Sequence, residues 1–538
     1  MKKLLLVSFL AGFAVMNAQT ELVFVFFKDK PNKAAFYANP LSELSQKSLD
    51  RRSNLGIALN DQDAPIEPSY IQNIKDLGFT VSDYSKWLNG VAVNATATQI
   101  DQLSQLSYVD YVESFVKNPD GGKRANKIDK FKKFNSEFSG KTVTDFNYGN
   151  SYSQINQINL LPLHEAGFTG TGIAIAVIDT GFPYVNTGSA FQRMRENGHI
   201  KETYNFITKE SNVYDTGVNP HGAMCLGIIG GYIENTFVGA APDADFYLYA
   251  SENAEVEIPE EELYWIEAAE EADRKGVDVI STSLGYTEFD DSRYDYTYAD
   301  MDGTTSFISR GAQVASDKGI FVLIAAGNEG WDSWHYISAP ADNASVFSVG
   351  AVTSSGDSSW FSSFGPNSAG VVKPDASARG TDTYYAYNNY SDYGSGTSFA
   401  TPLAAGGVAC LLQFVPKSLS RENVKDILRQ KSSLAPNYDD QMGYGILNFG
   451  DAYSQYLAVS ENYNIPSLQV YPNPNRGEFF IESKAAASVS IYDMSGRKIY
   501  SGNIISGKNQ IKLNANAGTY IISSEINGKK VSEKLIVK

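Results

Sequence analysis

Two uninterrupted apolar runs constrain this chain more than any other feature: Ile173–Ile178 in TGIAIAVIDTGF and Ile320–Ala326 in GIFVLIAAGNEG. Each has the length of a strand and lacks the polar alternation of a half-exposed one, so each predicts a strand buried on both faces. Strands of that kind belong to parallel sheets covered by helices, which makes the fold class α/β. Both runs end in polar residues, Asp179 after the first and Asn328, preceded by Gly327, after the second. Functional groups in open parallel sheets gather at the carboxyl ends of strands, and a charge buried there is costly unless it is paired.

A nucleophile to match stands in GTSFATP, residues 396–402. The apolar, Ala- and Leu-rich run after Ser398 reads as a buried helix, with Pro402 expected in its first turn, where a missing N–H costs nothing. Ser398 then sits at a helix N-terminus, where free N–H groups and the helix dipole favour an anion. Taken alone, a helix-capping serine is the better reading. The chain has four histidines among which to find a base. His164 in LPLHEAG fits a helix C-cap, His199 in RENGHIKE a solvated loop, and His335 in DSWHYISAP a packed loop. His221 opens the small-residue helix of VNPHGAMCLGIIGG, where the dipole favours the neutral ring a general base needs. Asp179 is the matching acid, and the Asn328 amide a donor for an oxyanion beside the Ser398 N–H.

The order Asp179, His221, Asn328, Ser398 and the segments AVIDTGF, PHGAMCLGIIGG, AAGNEG and GTSFATP resemble the subtilisin-like serine proteases over about residues 148–456. The resemblance implies a subtilisin-like parallel sheet flanked by helices and a secreted serine endopeptidase working through an acyl-enzyme. It assigns Ser398 as nucleophile, His221 as base and Asp179 as its orienting acid, with Asn328 in the oxyanion hole. It also implies substrate binding along Ser283, Leu284 and Gly285 on one side of the cleft and along Ala325, Ala326 and Gly327 on the other. Where the family has a proline-glycine, this chain has Ala378-Arg379-Gly380, which leaves that loop open. A non-catalytic surface protein on the same fold is the alternative, disfavoured because all four chemical positions are filled. An esterase would need G-x-S-x-G and the opposite residue order. No cofactor is required for the implied chemistry. Asp300 and Asp302, in the long acidic segment 287–306, have the spacing of calcium ligands, but a solvated acidic loop is the better reading.

The flanks point to export. Residues 1–18 read as a signal peptide, and no further run approaches membrane-spanning length. Residues 19–116 predict a small α+β ferredoxin-like unit whose position resembles the inhibitor-like propeptide of subtilases, made to block the cleft until cut. The basic segment 117–147 reads as a mobile linker and processing region. After a linker at 457–466, residues 467–538 turn basic, with ten Lys+Arg against five Asp+Glu in a chain of net charge −17. Their short alternating runs predict an all-β sandwich. With LQVYPNPNRGEF and the basic end, they resemble the type IX secretion sorting domain of Bacteroidetes, making that machinery an expected partner beside protein or peptide substrates. The acidity of the whole argues against nucleic acid. Two cysteines, Cys225 and Cys410, cannot form a disulfide framework; buried free thiols are expected, with a single bridge left open.

Overall fold

The computed structural model describes residues 19–128, 130, 146–463, 468–483, 486–526 and 529–538. The signal peptide and most of the basic segment lie outside them; of the expected linker 457–466 only 464–466 do, because its first residues continue the helix Phe449–Tyr463. Residues 1–452 and 453–538 form two compact units.

The larger unit is built on a seven-stranded sheet in the order Ala376–Arg379, Phe347–Val352, Phe321–Ala325, Val279–Thr282, Ala174–Asp179, Asp245–Ala250, Ile200–Asn205. All six pairings are parallel. The two runs that opened the sequence analysis are the inner strands Ala174–Asp179 and Phe321–Ala325, every residue buried. Helices His221–Gly230 and Thr397–Phe414 pack together on one another, and the second crosses the sheet. Thr397–Phe414 is the one described helix long and apolar enough to cross a membrane, a length the sequence reading did not credit to it; it is buried here as the core helix. Helices Glu260–Lys275 and Phe307–Asp317 lie side by side and add their apolar residues to the same core as the sheet strands.

On that pair of helices sits the N-terminal α+β unit. Its four strands, Glu21–Phe27, Tyr84–Ser85, Gly90–Ala95 and Val109–Ser114, form an antiparallel sheet with the first strand between the third and fourth. From Leu22 to Phe27 the strand is apolar without interruption because each face has its own core. Val23, Val25 and Phe27 pack with Ile74, Val91 and Leu103 inside the unit. Leu22, Phe24 and Phe26 turn the other way, into the core that holds Trp265, Ile266 and Phe307. Phe115 stacks on Phe307 with centroids 3.8 Å apart, and Arg310 forks onto Glu113 at 2.9 and 3.0 Å.

Two expectations fail at this junction. The segment from Lys117 to Lys130, although mostly exposed, is not a free linker over its described residues. The N–H groups of Lys117 and Asn118 donate to Arg293 O, and that of Arg124 donates to Asp290 O. Nor is 287–306 a solvated acidic loop: Phe289, Tyr294, Tyr296 and Met301 are buried, and Tyr294 Oη accepts from Leu22 N at 3.0 Å. Its aromatic half supplies the apolar anchors that an acidic composition conceals.

The smaller unit contains a three-stranded sheet (Gln469–Tyr471, Glu478–Ser483, Gly507–Lys512) and a four-stranded one (Ala487–Asp493, Lys498–Ile504, Gly518–Ile526, Lys529–Val537). Alternate residues of both, among them Phe479, Ile481, Val489, Ile522 and Leu535, share one core.

Candidate active site

Asp179 is the last residue of its strand and has no exposed surface. Its Oδ1 accepts from Thr180 N and lies 2.8 Å from His221 Nδ1. A carboxylate can only accept, so Nδ1 carries the proton and Nε2 remains the basic nitrogen. The helix that begins at His221 reaches the strand end through Gly222. A Cβ there would stand 2.5 Å from Gly181 O and 2.9 Å from Asp179 Cβ. The dipole effect expected at His221 does not decide its charge. Burial pushes the imidazole down, but the Asp179 carboxylate overrides it and holds the ring well above its ordinary 6.5.

Ser398 is the second residue of helix Thr397–Phe414 and is nearly buried. Pro402 is the sixth helical residue, beyond the first turn where the sequence reading placed it. Its missing N–H therefore removes the helical partner of the carbonyl four residues back, which is Ser398 O. That carbonyl instead accepts from Ser283 Oγ at 2.8 Å and from Cys225 Sγ at 3.4 Å. Cys225 stands one turn beyond His221, with its sulfur 3.8 Å from Nδ1. The thiol thus touches both the base and the nucleophile's backbone, bringing His221 and Ser398 to one place. Burial pushes it up, so it stays a thiol.

Asn328 follows its strand end through Gly327, whose φ of 114° suits glycine alone. Asn328 Oδ1 accepts from Thr397 N at 2.9 Å and from Thr397 Oγ1 at 3.1 Å. That network fixes the amide orientation and leaves Nδ2 as the end that can serve the cleft. A Cβ built on Gly396 (φ 156°, ψ 154°) would meet Ser398 Oγ at 2.8 Å and Asn328 Nδ2 at 3.6 Å. The hydroxyl and the amide donor therefore border the same small space.

These groups line a cleft of about 410 Å³, together with Ala325, Gly327, Ser283, Leu284 and Gly285. Ala326 does not line it; it is fully buried, with its N–H on Val349 O. Ser283 contributes backbone, since its hydroxyl is held by Ser398. The loop at Ala378-Arg379-Gly380 is tied in by Gly380 N on Val352 O and by Gly396 N on Gly380 O.

The other histidines have separate roles. His164 is no simple cap: it is buried, with Nδ1 2.6 Å from Tyr148 Oη and Nε2 2.9 Å from Ala240 O, and burial pushes it down to about 4. His199 is not a solvated loop residue but pairs with Asp245 at 3.0 Å. His335 is a packed loop residue stacked on Phe364. Asp300 and Asp302 spend their carboxylates on turns, Asp300 on Thr297 and Asp302 on Thr304 and Thr305. Both cysteines are free and buried. Sequence reasoning expected Cys225 as a buried free thiol but not its contact with His221, although the i+4 spacing was a usable signal. It also missed Glu252, Glu257 and Glu261, which with Asp179, His221 and Cys225 make the two acidic or mixed clusters compact enough for a cation among the described residues.

Comparison with known proteins covers nearly the whole described chain. Residues 170–445 match the Subtilase family (Peptidase S8). Residues 22–131 match the Peptidase S8 propeptide domain of Bacteroidota, and residues 469–538 a secretion system C-terminal sorting domain. Subtilisin NAT of Bacillus subtilis subsp. natto is 31% identical over 299 residues, 55% of this chain and 69% of that protein. Serine protease AprX of Bacillus subtilis is 30% identical over 312 residues, 52% of this chain and 66% of that protein. Alkaline elastase YaB of a Bacillus species is 27% identical over 299 residues, 55% of this chain and 68% of that protein.

Proposed function

The chain belongs to the subtilase family, and from that premise we propose that it is an endopeptidase made as an inactive precursor, with Ser398, His221 and Asp179 as its triad. It is a subtilisin-like serine peptidase, and its sorting domain makes it a secreted or cell-surface protein. The observation that carries the finer reading is the 2.8 Å pair of His221 and Asp179, linked through Cys225 to the backbone of Ser398.

In this reading His221 Nε2 takes the Ser398 proton as Oγ attacks the scissile carbonyl, and Asp179 steadies the imidazolium that results. The tetrahedral oxyanion is held by Asn328 Nδ2 and the Ser398 N–H, both positioned before substrate arrives. Collapse breaks the C–N bond, His221 hands its proton to the leaving amine, and an acyl-enzyme ester remains on Oγ. Water, deprotonated by the same imidazole, releases the acid. The docking of the N-terminal unit and the run of chain from Lys117 to Lys130 toward the cleft support a precursor held silent by its own pro-region.

Casein cleavage by the matured protein tests this. Ser398→Ala is expected to abolish turnover and labelling by a fluorophosphonate together. Turnover that survives Ser398→Ala would sink the assignment.

A further inference from the structure

At the cleft stand three carboxylates that the chemistry above does not use. Glu252, Glu257 and Glu261 are all buried, and their oxygens lie within 4.8 Å of one another. They are built in place rather than gathered by chance on a surface. Tyr286 Oη donates to Glu252 Oε2 at 2.6 Å, and Asn253 N to Glu261 Oε1 at 2.8 Å. Glu257 is 5% exposed, and its Oε1 has no hydrogen-bond partner. Glu252 and Glu257 line the same cleft as Ser398, Leu284 and Gly285.

One cation is seated among them. Lys130 Nζ is bonded to Glu252 Oε1, lies 2.8 Å from Glu261 Oε2 and 3.2 Å from Glu257 Oε2, and is itself almost fully enclosed. An ammonium has three N–H donors, one for each carboxylate here. The lysine is not part of the peptidase domain but of the pro-region segment, which enters from Arg124 beside Asp290 and Asp295. Burial pushes the Glu261 carboxyl up to about 8, with the Glu252 charge adding to it and Lys130 pulling the other way. When the pro-region leaves, three desolvated carboxylates lose the counter-charge that Lys130 supplies, a state that favours capture of another cation of the same shape.

We propose that Glu252, Glu257 and Glu261 form a specificity subsite for a lysine side chain of the substrate, and that Lys130 occupies it as a built-in substrate mimic. Lysine is favoured over arginine because three converging carboxylates suit a compact ammonium, whereas a guanidinium presents a flat fork. The proposal rests on the peptidase reading of Ser398.

The test uses enzyme matured from the full chain and fluorogenic peptides of one sequence, varied one position at a time between Lys, Arg, norleucine and Glu. At one position Lys is expected to exceed norleucine in kcat/KM by at least ~30-fold, the scale of a desolvated charge pair, with Arg between them. In the variant Glu257→Gln/Glu261→Gln that ratio is expected to fall below about 3. Equal cleavage of the Lys and norleucine peptides overturns the subsite, and so does a lysine preference that persists in the double variant. Calcium that raises Tm only when both glutamates are present, without any lysine preference, also overturns it and makes the cluster a metal site. If no peptide is cut, norleucine included, the peptidase reading falls with it, an outcome distinct from equal cutting. Should the double variant fail to mature, the wild-type series decides alone.

Discussion

Replacing Asp273 by Asn is expected to loosen the pro-region without harming the enzyme. Asp273, on helix Glu260–Lys275, is fully buried beneath helix Gln46–Leu55 of the N-terminal unit. Its Oδ1 accepts from Arg51 Nη2 and from Arg52 Nη1, and its Oδ2 accepts from Arg52 Nη2 at 2.7 Å. Arg52 keeps a second carboxylate, Asp63 at 2.8 Å within its own unit, whereas the other hydrogen bonds of Arg51 go to the carbonyls of Val277 and Lys318, with Asp278 acting on it without one. Removing one partner of a buried pair costs about 3–5 kcal/mol, mostly because the other charge is stranded. With one arginine stranded rather than two, the lower end applies, and about 3 kcal/mol is roughly a hundredfold in affinity. The assay is inhibition of mature wild-type and Asp273→Asn enzyme by residues 19–116 added in trans. The wild-type enzyme is expected to be inhibited, and Ki is expected to rise ~100-fold with uninhibited kcat/KM unchanged. Arg51→Met in the added pro-region removes the stranded cation and is expected to recover most of the loss. A Ki within about threefold of wild type, or a Met variant that recovers nothing, would refute the reasoning.

Three further outcomes are expected. Asn328→Ala should lower kcat by about 10²–10³ with little change in KM, the loss known from the corresponding donor in subtilisin, and an unchanged kcat would remove it from the oxyanion hole. Gly396→Ala places a methyl 2.8 Å from Ser398 Oγ on a backbone (φ 156°) that suits glycine, so fluorophosphonate labelling should fall at least ~10-fold and Tm by several degrees, backbone strain adding to the displaced hydroxyl. The base must be neutral and His221 is held above its usual 6.5, so kcat/KM is expected to fall with decreasing pH along a limb centred above pH 6.5. Asp179→Asn should move that limb to lower pH as well as lowering the plateau; a limb that stays in place would show that another group titrates.

The elements legible in the sequence were those whose meaning is local. Six consecutive apolar residues followed by Asp179 mark a buried strand and its active end, and a glycine followed by Asn328 does the same for Phe321–Ala325, two places along the sheet. The helix after Ser398 was equally plain, yet the place of Pro402 within it was not, because a shift of one turn leaves the apolar pattern intact. His164 and His199 were misjudged since their partners, Tyr148, Ala240 and Asp245, are set by packing rather than by neighbouring residues. The segment 287–306 looked solvated because its acids outnumber its aromatics, although the aromatics decide where it goes. Lys130 was hidden most completely. It sits in a run of basic residues that reads as solvated chain, and its three partners lie more than 120 residues away.

Pro402 gives the site a mechanical property of its own. By withdrawing the helix's claim on the Ser398 carbonyl, it ties the nucleophile to Ser283, the first residue of the edge along which substrate is expected to lie. Through that hydrogen bond the serine's backbone and the edge share one anchor, so a displacement of either is resisted by the other. An ordinary residue at 402 would restore an amide that competes for the same oxygen. Its harm would be a drifting registration between nucleophile and substrate in a helix that had itself become more regular.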